Sequence, residues 1–290
     1  MADGPDIFKE GDRALLVDRK NRHYMIALQA KGQFHSHVGV LPHAEIIGQP
    51  PGGWYRTTRG QTLLCVRPTF SDYVQELPRV TQVVYPKDLG AILMLADVFP
   101  GARVMTAGLG SGALATALSR AVGERGTVIA YEIEKTYIER GLRNVHTVIG
   151  EGGNVEARLG DVYQSIPDRD LDRIILDVPE PWSAVANVAE ALAPSGIFLG
   201  YLPTVLQVHK LVEALRADGR FQMIDTVEVL IRGWHVTTES VRPSHRMVAH
   251  TAFLITARRC QPRPGPVPEP VVEESTTEDT RADPPEDSAP

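Results

Sequence analysis

The chain has 290 residues, 43% of them hydrophobic and 23% charged, with a formal net charge of −6; that length allows a substantial buried core and more than one domain. No apolar run approaches the roughly 20 residues a membrane helix needs, since the run from Ala91 to Phe99 is short and broken by Asp97. The N-terminus lacks the basic and apolar regions of a signal peptide, the two cysteines (Cys65 and Cys260) read as reduced cytosolic thiols, and no histidine has partners at metal-ligand spacing.

In chain order, residues 8–67 alternate in short strands: Arg13 to Val17, His23 to Leu28, Gly32 to Val38 and Gln61 to Val66. Turn signals separate them, including Asp18-Arg19-Lys20-Asn21 and a Pro-Gly run from Gln49 to Gly53. This predicts a small all-β, barrel-like domain over 1–67. A connector from Pro68 to Pro86 ends in Tyr85-Pro86-Lys87-Asp88, and Asp88 is expected to cap an apolar helix from Leu89 to Val98. Beyond it, strands at Arg103 to Thr106, Gly126 to Tyr131, Asn154 to Leu159 and Arg173 to Asp177 alternate with helices at Ala113 to Val122, Lys135 to Val148, Trp182 to Leu192 and Leu206 to Ala217. Phe221 to Leu230 and Thr251 to Ala257 read as two closing strands. That alternation predicts an α/β domain over 68–260, with a mostly parallel sheet covered on both faces. From Gln261 onward the chain carries eight acids against Arg263 and Arg281, eight prolines and no aromatic residue, so 261–290 is expected to be a disordered acidic tail.

The chemistry is expected at the strand ends. Gly108, Gly110 and Gly112, with Leu109 and Ser111 between them, follow the first α/β strand and lead into a helix; glycines there permit positive φ and close approach of a ligand to the backbone. Glu132 closes the next strand about 20 residues later, the place for a carboxylate that grips ribose hydroxyls. Asp161 and Val162 follow the third strand, where a side-chain acceptor and a backbone N–H suit an adenine edge. Asp177 ends the fourth, and the prolines of Val178-Pro179-Glu180-Pro181-Trp182 then force the chain off the sheet. A dinucleotide expects G-x-G-x-x-G before its pyrophosphate. Here the third glycine comes one residue early, which favours S-adenosylmethionine, a nucleoside ligand with no phosphate. Two basic groups, Arg13 to His43 and Arg232 to Arg259, flank the near-neutral α/β region as phosphate contacts would require.

With those residues in view, the chain resembles the bacterial and archaeal tRNA (adenine-58-N1)-methyltransferases over roughly residues 8–260. The likeness is strongest at Tyr85 to Asp88, the glycine loop, Leu176 to Trp182 (LDVPEPW), Tyr201-Leu202-Pro203 with Gln207, and Arg242 to Leu254 (RPSHRMVAHTAFL). The resemblance implies a Rossmann-like class I methyltransferase domain with a mostly parallel seven-stranded sheet, a cytoplasmic homotetramer, and methylation of a T-loop adenosine in tRNA by S-adenosylmethionine. It implies that Gly108 to Gly112, Glu132, Asp161 and Val162 hold the cofactor. Asp177 would sit between cofactor and target base with Tyr85 nearby, and Arg242, His245 and Arg246 would face the tRNA. The chain departs from the family at Thr106, where an acidic residue is usual, and at Leu109, where a smaller one is usual. The departure either shifts the cofactor's load to Glu132 and Asp161 or weakens the site. It therefore leaves open, as an alternative, a protein that remodels tRNA without methylating it.

Overall fold

Burial alternates along short N-terminal strands such as 39–42 and 62–66 and is nearly continuous along central strands such as 127–132, as a sheet covered on both faces requires. A computed structural model describes residues 6–77 and 82–262; the expected acidic tail lies outside the described residues from 263 onward. The N-terminal part contains β1 (Arg13–Asp18), β2 (His23–Ala27), β3 (Gln33–Ser36), β4 (Gly39–Pro42), β5 (Gly53–Arg56) and β6 (Thr62–Val66). Four of them form an antiparallel sheet ordered β2-β1-β6-β5, and β3 pairs with β4 in a separate ribbon. Ala14 and Leu16 of β1 meet Leu63 and Cys65 of β6, and Phe8, Phe34, Leu41 and Ile46 complete that core. The sequence pattern hides strand β5, because its first residue belongs to a Pro-Gly run that signals a turn; Trp54 and Tyr55 nonetheless pair with Leu64 and Leu63.

The connector is less irregular than expected. It contains α1 (Phe70–Glu76), begun by a reciprocal cap in which the Thr69 hydroxyl accepts the Asp72 N–H and the Asp72 carboxylate accepts the Thr69 N–H. Helix α2 (Pro86–Leu95) starts earlier than predicted, with Pro86 in its first turn and Tyr85 at the N-cap. A proline fits there because the missing N–H had no intrahelical partner to lose. Asp88 is therefore not a cap. It is fully buried inside the first turn.

There follow β7 (Arg103–Ala107), α3 (Ala113–Val122), β8 (Thr127–Glu132), α4 (Lys135–Ile149), β9 (Val155–Leu159), β10 (Leu171–Leu176), α5 (Val185–Ala191), β11 (Leu192–Leu202), α6 (Val205–Asp218), β12 (Phe221–Glu228), β13 (Trp234–Val236), β14 (Val241–Pro243) and β15 (Phe253–Arg259). The helix expected over 182–192 is split, because Pro181–Ala184 forms a 3-10 turn ahead of α5. Seven strands make one sheet ordered β12-β15-β11-β10-β7-β8-β9. The strands from β11 to β9 run parallel, and β15 lies antiparallel to both of its neighbours.

Val104, Val128 and Ile175 pack on one face, in a core shared with α2, α3 and α4. Met105, Ile129, Ile174 and Leu176 pack on the other, with residues of α5 and α6. Each fully buried Ile or Leu contributes roughly 1.5–3 kcal/mol relative to exposure. This two-sided burial places the carboxyl ends of β7, β8, β9 and β10 along one edge. The strand order reverses between β7 and β10, and such a reversal opens a crevice for ligands.

Candidate functional site

That edge holds a cavity of about 350 Å³, within the roughly 300–1,000 Å³ typical of small-molecule sites. All four strand ends line it: Ala107 and Gly108 after β7, Tyr131 to Ile133 at β8, Gly160 to Tyr163 after β9, and Asp177 to Glu180 after β10. Of the residues expected to form the site, Gly108, Glu132, Asp161, Val162 and Asp177 come together here. Leu109, Gly110, Ser111 and Gly112 are not among the lining residues, and neither is Tyr85.

Close approach of backbone fixes the glycine loop, of which Gly108 lines the cavity. Gly108 has φ +85°, and a Cβ at that position would stand 2.2 Å from the Asp177 carbonyl oxygen. Gly112 caps α3 at φ +80°, with its would-be Cβ 2.6 Å from the Gly141 carbonyl oxygen. Only glycine meets both demands. Leu109, the bulky departure from the family, is buried where α4 carries Gly141: a Cβ on Gly141 would meet the Leu109 Cγ at 2.7 Å. Thr106 is also buried away from the cavity, with its hydroxyl unpartnered.

Two carboxylates are held for acceptor work. Glu132 is buried, and its oxygens accept the Gly110 N–H (3.2 Å) and the Ile133 N–H (2.9 Å). Asp161 Oδ1 accepts the Tyr163 N–H at 2.9 Å, which fixes the turn after β9. Asn187 supports that turn by donating to the Val162 and Tyr163 carbonyls. The Val162 N–H has no protein acceptor among the described residues. Ile133 is 67% exposed beside Glu132 and adds an apolar wall.

Asp177 differs from these. Its backbone N–H donates to the Ala107 carbonyl (3.1 Å), but among the described residues its carboxylate has no hydrogen-bond or ionic partner. Burial alone pushes its carboxyl from 3.8 up to about 7. An uncompensated acid in a cavity is a group awaiting a cation or a donor. The proline loop beyond it is pinned on two sides: the Glu180 N–H donates to the Tyr163 hydroxyl at 3.0 Å, and Gln207 Nε2 donates to the Pro179 carbonyl at 3.0 Å.

Sequence reasoning missed a buried network behind the site. Lys87 Nζ donates to Asp88 Oδ1 (2.7 Å), to Thr251 Oγ1 (2.6 Å) and to the Val229 carbonyl (2.7 Å), so all three ammonium hydrogens are placed. Asp88 Oδ2 accepts from Thr251 Oγ1 (2.7 Å) and from the Tyr201 hydroxyl (3.1 Å). Burial, reinforced by the charges of Asp88 and Asp177, pushes the Tyr201 phenol far above its ordinary range, so it stays protonated and donating. Tyr201 thus spends its one hydroxyl hydrogen on Asp88 and ties β11 to the first turn of α2. The sequence motifs containing Lys87, Asp88 and Tyr201 are visible, but Lys87 and Asp88 find Tyr201, Val229 and Thr251 more than a hundred positions away.

Arg242, His245 and Arg246 are not among the cavity's lining residues; all three are exposed. Arg242 lies on β14, which pairs with β13, and His245 and Arg246 follow it. The same segment exposes Leu230, Ile231, Trp234, Val236, Val241, Met247 and Val248. His250 anchors its end by bonding the Glu228 carboxylate and the Pro203 carbonyl, each at 2.7 Å, contacts that hold its pKa above the ordinary imidazole value.

Comparison with known proteins adds the lineage. A family model described as "tRNA methyltransferase complex GCD14 subunit" matches residues 63–252, and a "TrmI-like N-terminal" model matches residues 6–60. A tRNA (adenine(58)-N(1))-methyltransferase TrmI of Thermus thermophilus is 39% identical over 84% of this chain and 96% of its own length. A tRNA (adenine(57)-N(1)/adenine(58)-N(1))-methyltransferase TrmI of Methanocaldococcus jannaschii is 34% identical over 86% of this chain and 95% of its own. Among solved structures, a Thermotoga maritima protein described as a SAM-dependent O-methyltransferase superposes with a TM-score of 0.86 at 34% identity, covering 90% of this chain and 97% of the other. The tRNA (m1A58) methyltransferase TrmI of Aquifex aeolicus gives 0.79 at 29% identity, covering 88% and 100%. No helix among the described residues is long and apolar enough to cross a membrane. With its family model covering most of the α/β region and its four strand ends meeting in one cavity, the chain belongs to the GCD14/TrmI family of tRNA methyltransferases.

Proposed function

We propose that this chain methylates N1 of adenosine 58 in the T-loop of tRNA, with S-adenosylmethionine as donor and Asp177 as the residue that orients the base. The observation that carries this reading is the unpartnered carboxylate of Asp177 in a cavity whose other walls suit an adenosine. Glu132 offers acceptors to ribose hydroxyls, while Asp161 and the free Val162 N–H offer a matched acceptor and donor to an adenine edge. The bound cofactor supplies an activated methyl group carried on a cationic sulfur.

N1 of neutral adenine already has a free lone pair, so no proton has to be removed before it attacks. The protein's work is alignment and electrostatics. The base must leave the folded tRNA to reach the cavity. Asp177 then accepts a hydrogen bond from the exocyclic amino group, which sets the ring's orientation. Its negative charge also stabilises the positive charge that N1-methylation places on the ring. Arrival of a donor and a cation favours the ionised carboxylate, which reverses the effect of burial.

Arg242, His245 and Arg246 would contact tRNA phosphates from their exposed segment. The apolar residues around them, Trp234 and Val241 among others, would bury against further copies of the chain in a cytoplasmic homotetramer. We assign residues 1–67 to a β domain and 68–260 to the catalytic domain.

The test is mass spectrometry of nucleosides from tRNA incubated with the protein and isotopically labelled cofactor. Labelled 1-methyladenosine mapped to position 58 is the expected product. Label at a ribose hydroxyl, or no transfer combined with tight tRNA binding, would overturn the reading.

A further inference from the structure

The N-terminal sheet carries a second cavity, of about 410 Å³, where the turn between β1 and β2 meets the loop between β5 and β6. Its lining includes Asp18, Arg19, Lys20, Arg22, His37 and Arg59. The single acid is already satisfied. Asp18 accepts the backbone N–H groups of Lys20 (2.8 Å) and Arg22 (3.0 Å), the Arg22 Nε–H (2.7 Å) and the Tyr24 hydroxyl (3.3 Å), and it pairs with Arg22 Nη2 at 2.6 Å. Desolvation works against its charge, but these bonds prevail and hold the carboxyl down at about 2. Arg22 is thereby neutralised.

The remaining cations are not. Arg59 donates Nη1 to the neutral His37 carbonyl at 2.8 Å, which orients its guanidinium without cancelling its charge. Arg19 and Lys20 are exposed and have no acidic partner among the described residues. Three uncompensated positive charges therefore rim one concavity, and a concave surface lined by one sign of charge concentrates counter-ions.

No buried cation encloses this basin, as a site for a small anion would require; the charges sit on its open rim, where a continuous strand can pass. We propose that the basin holds backbone phosphates of the tRNA substrate at a place separate from the methylation cavity, so that the β domain fixes the register of the RNA. The identity of the anion as tRNA rests on the function proposed above.

The experiment measures tRNA affinity against salt concentration for the full-length protein, for the double variant Arg19→Gln/Lys20→Gln, and for Arg59→Gln. Each lost phosphate contact lowers the slope of log K on log salt by about 0.7–0.9. The double variant should then lose about 1.4–1.8 in slope, or roughly 25- to 60-fold in affinity at 0.1 M salt when the curves are matched at 1 M. Arg59→Gln should lose about half that slope. S-adenosylmethionine affinity, which reads the integrity of the fold, should stay the same in all three. Unchanged slopes in both variants would overturn the inference. So would retention of free adenosine monophosphate by the basin with tRNA binding unaffected, which would make it a small-anion site. A wild-type protein that fails to retain tRNA at any salt would overturn the proposed function as well, and that outcome is distinct from variants that bind as the wild type does.

Discussion

Asp177→Asn should make the protein more stable while removing its activity, and the size of the gain should depend on pH. Burial raises the carboxyl from 3.8 to about 7, a shift of about three units at about 1.4 kcal/mol each. The penalty for holding the charged form is thus at most about 4 kcal/mol. Water entering the open cavity reduces it to roughly 1–3 kcal/mol, because solvated charge is screened. The sign follows from proton counting. Between pH 4 and 7 the native state keeps a proton that the unfolded state has lost, so the contribution of this group to stability falls as pH rises through that window. The loss is complete above pH 7. Asparagine never ionises, so the variant should match the wild type near pH 4 and exceed it at pH 8. For a domain of this size, 1–3 kcal/mol corresponds to a rise in Tm of roughly 2–12 °C. Thermal unfolding of both proteins without ligand, at several pH values from 4 to 8, is the assay. A variant less stable at pH 8, or a difference independent of pH, would refute the claim that Asp177 is an unpaired, partly buried acid.

Three further outcomes follow from single contacts. Gly108→Ala places a Cβ 2.2 Å from the Asp177 carbonyl oxygen at a φ of +85°; it should cost at least about 2 kcal/mol in urea unfolding and lower S-adenosylmethionine affinity by displacing the β10 tip. Lys87→Met leaves Asp88 buried without its cation and should cost about 3–5 kcal/mol in the same assay, whereas a purely exposed pair would cost under about 1 kcal/mol. Thr106→Val removes a buried hydroxyl that has no partner; it should gain about 1 kcal/mol and leave methyl transfer unchanged, since the side chain lies outside the cavity.

Much of the α/β region was legible because its signals are local. Helix α3 was placed residue for residue over Ala113–Val122, since Gly112 and Gly123 bracket a continuous apolar face. The strand before Asp177 was recognised from an apolar run stopped by prolines, and the convergence of Glu132, Asp161 and Asp177 followed from parallel strands sharing a polarity. Misreadings arose where one local signal masked another. Asp88 ahead of an apolar run looks like a cap, but Pro86 starts the helix sooner and carries Asp88 into the core. The start of β5 was hidden in a Pro-Gly run, and the short ladder of β13 with β14 has no alternation of burial to announce it. The network of Lys87, Asp88, Tyr201 and Thr251 was out of reach for a different reason. Its members are joined by tertiary packing across α2, β11 and the segment before β15, and no period in the sequence encodes that contact. Where the family usually has an acid, Thr106 is buried outside the cavity lining, while Glu132 lines it.

Single-turnover methyl transfer to tRNA by Asp177→Ala, at S-adenosylmethionine concentrations shown by calorimetry to saturate the variant, bears most directly on the role of the cavity. Near-complete loss of transfer, with cofactor affinity within about tenfold of wild type, is the predicted result. Transfer at the wild-type rate would mean that the base is oriented by some other group and that the unpartnered carboxylate is not part of the chemistry.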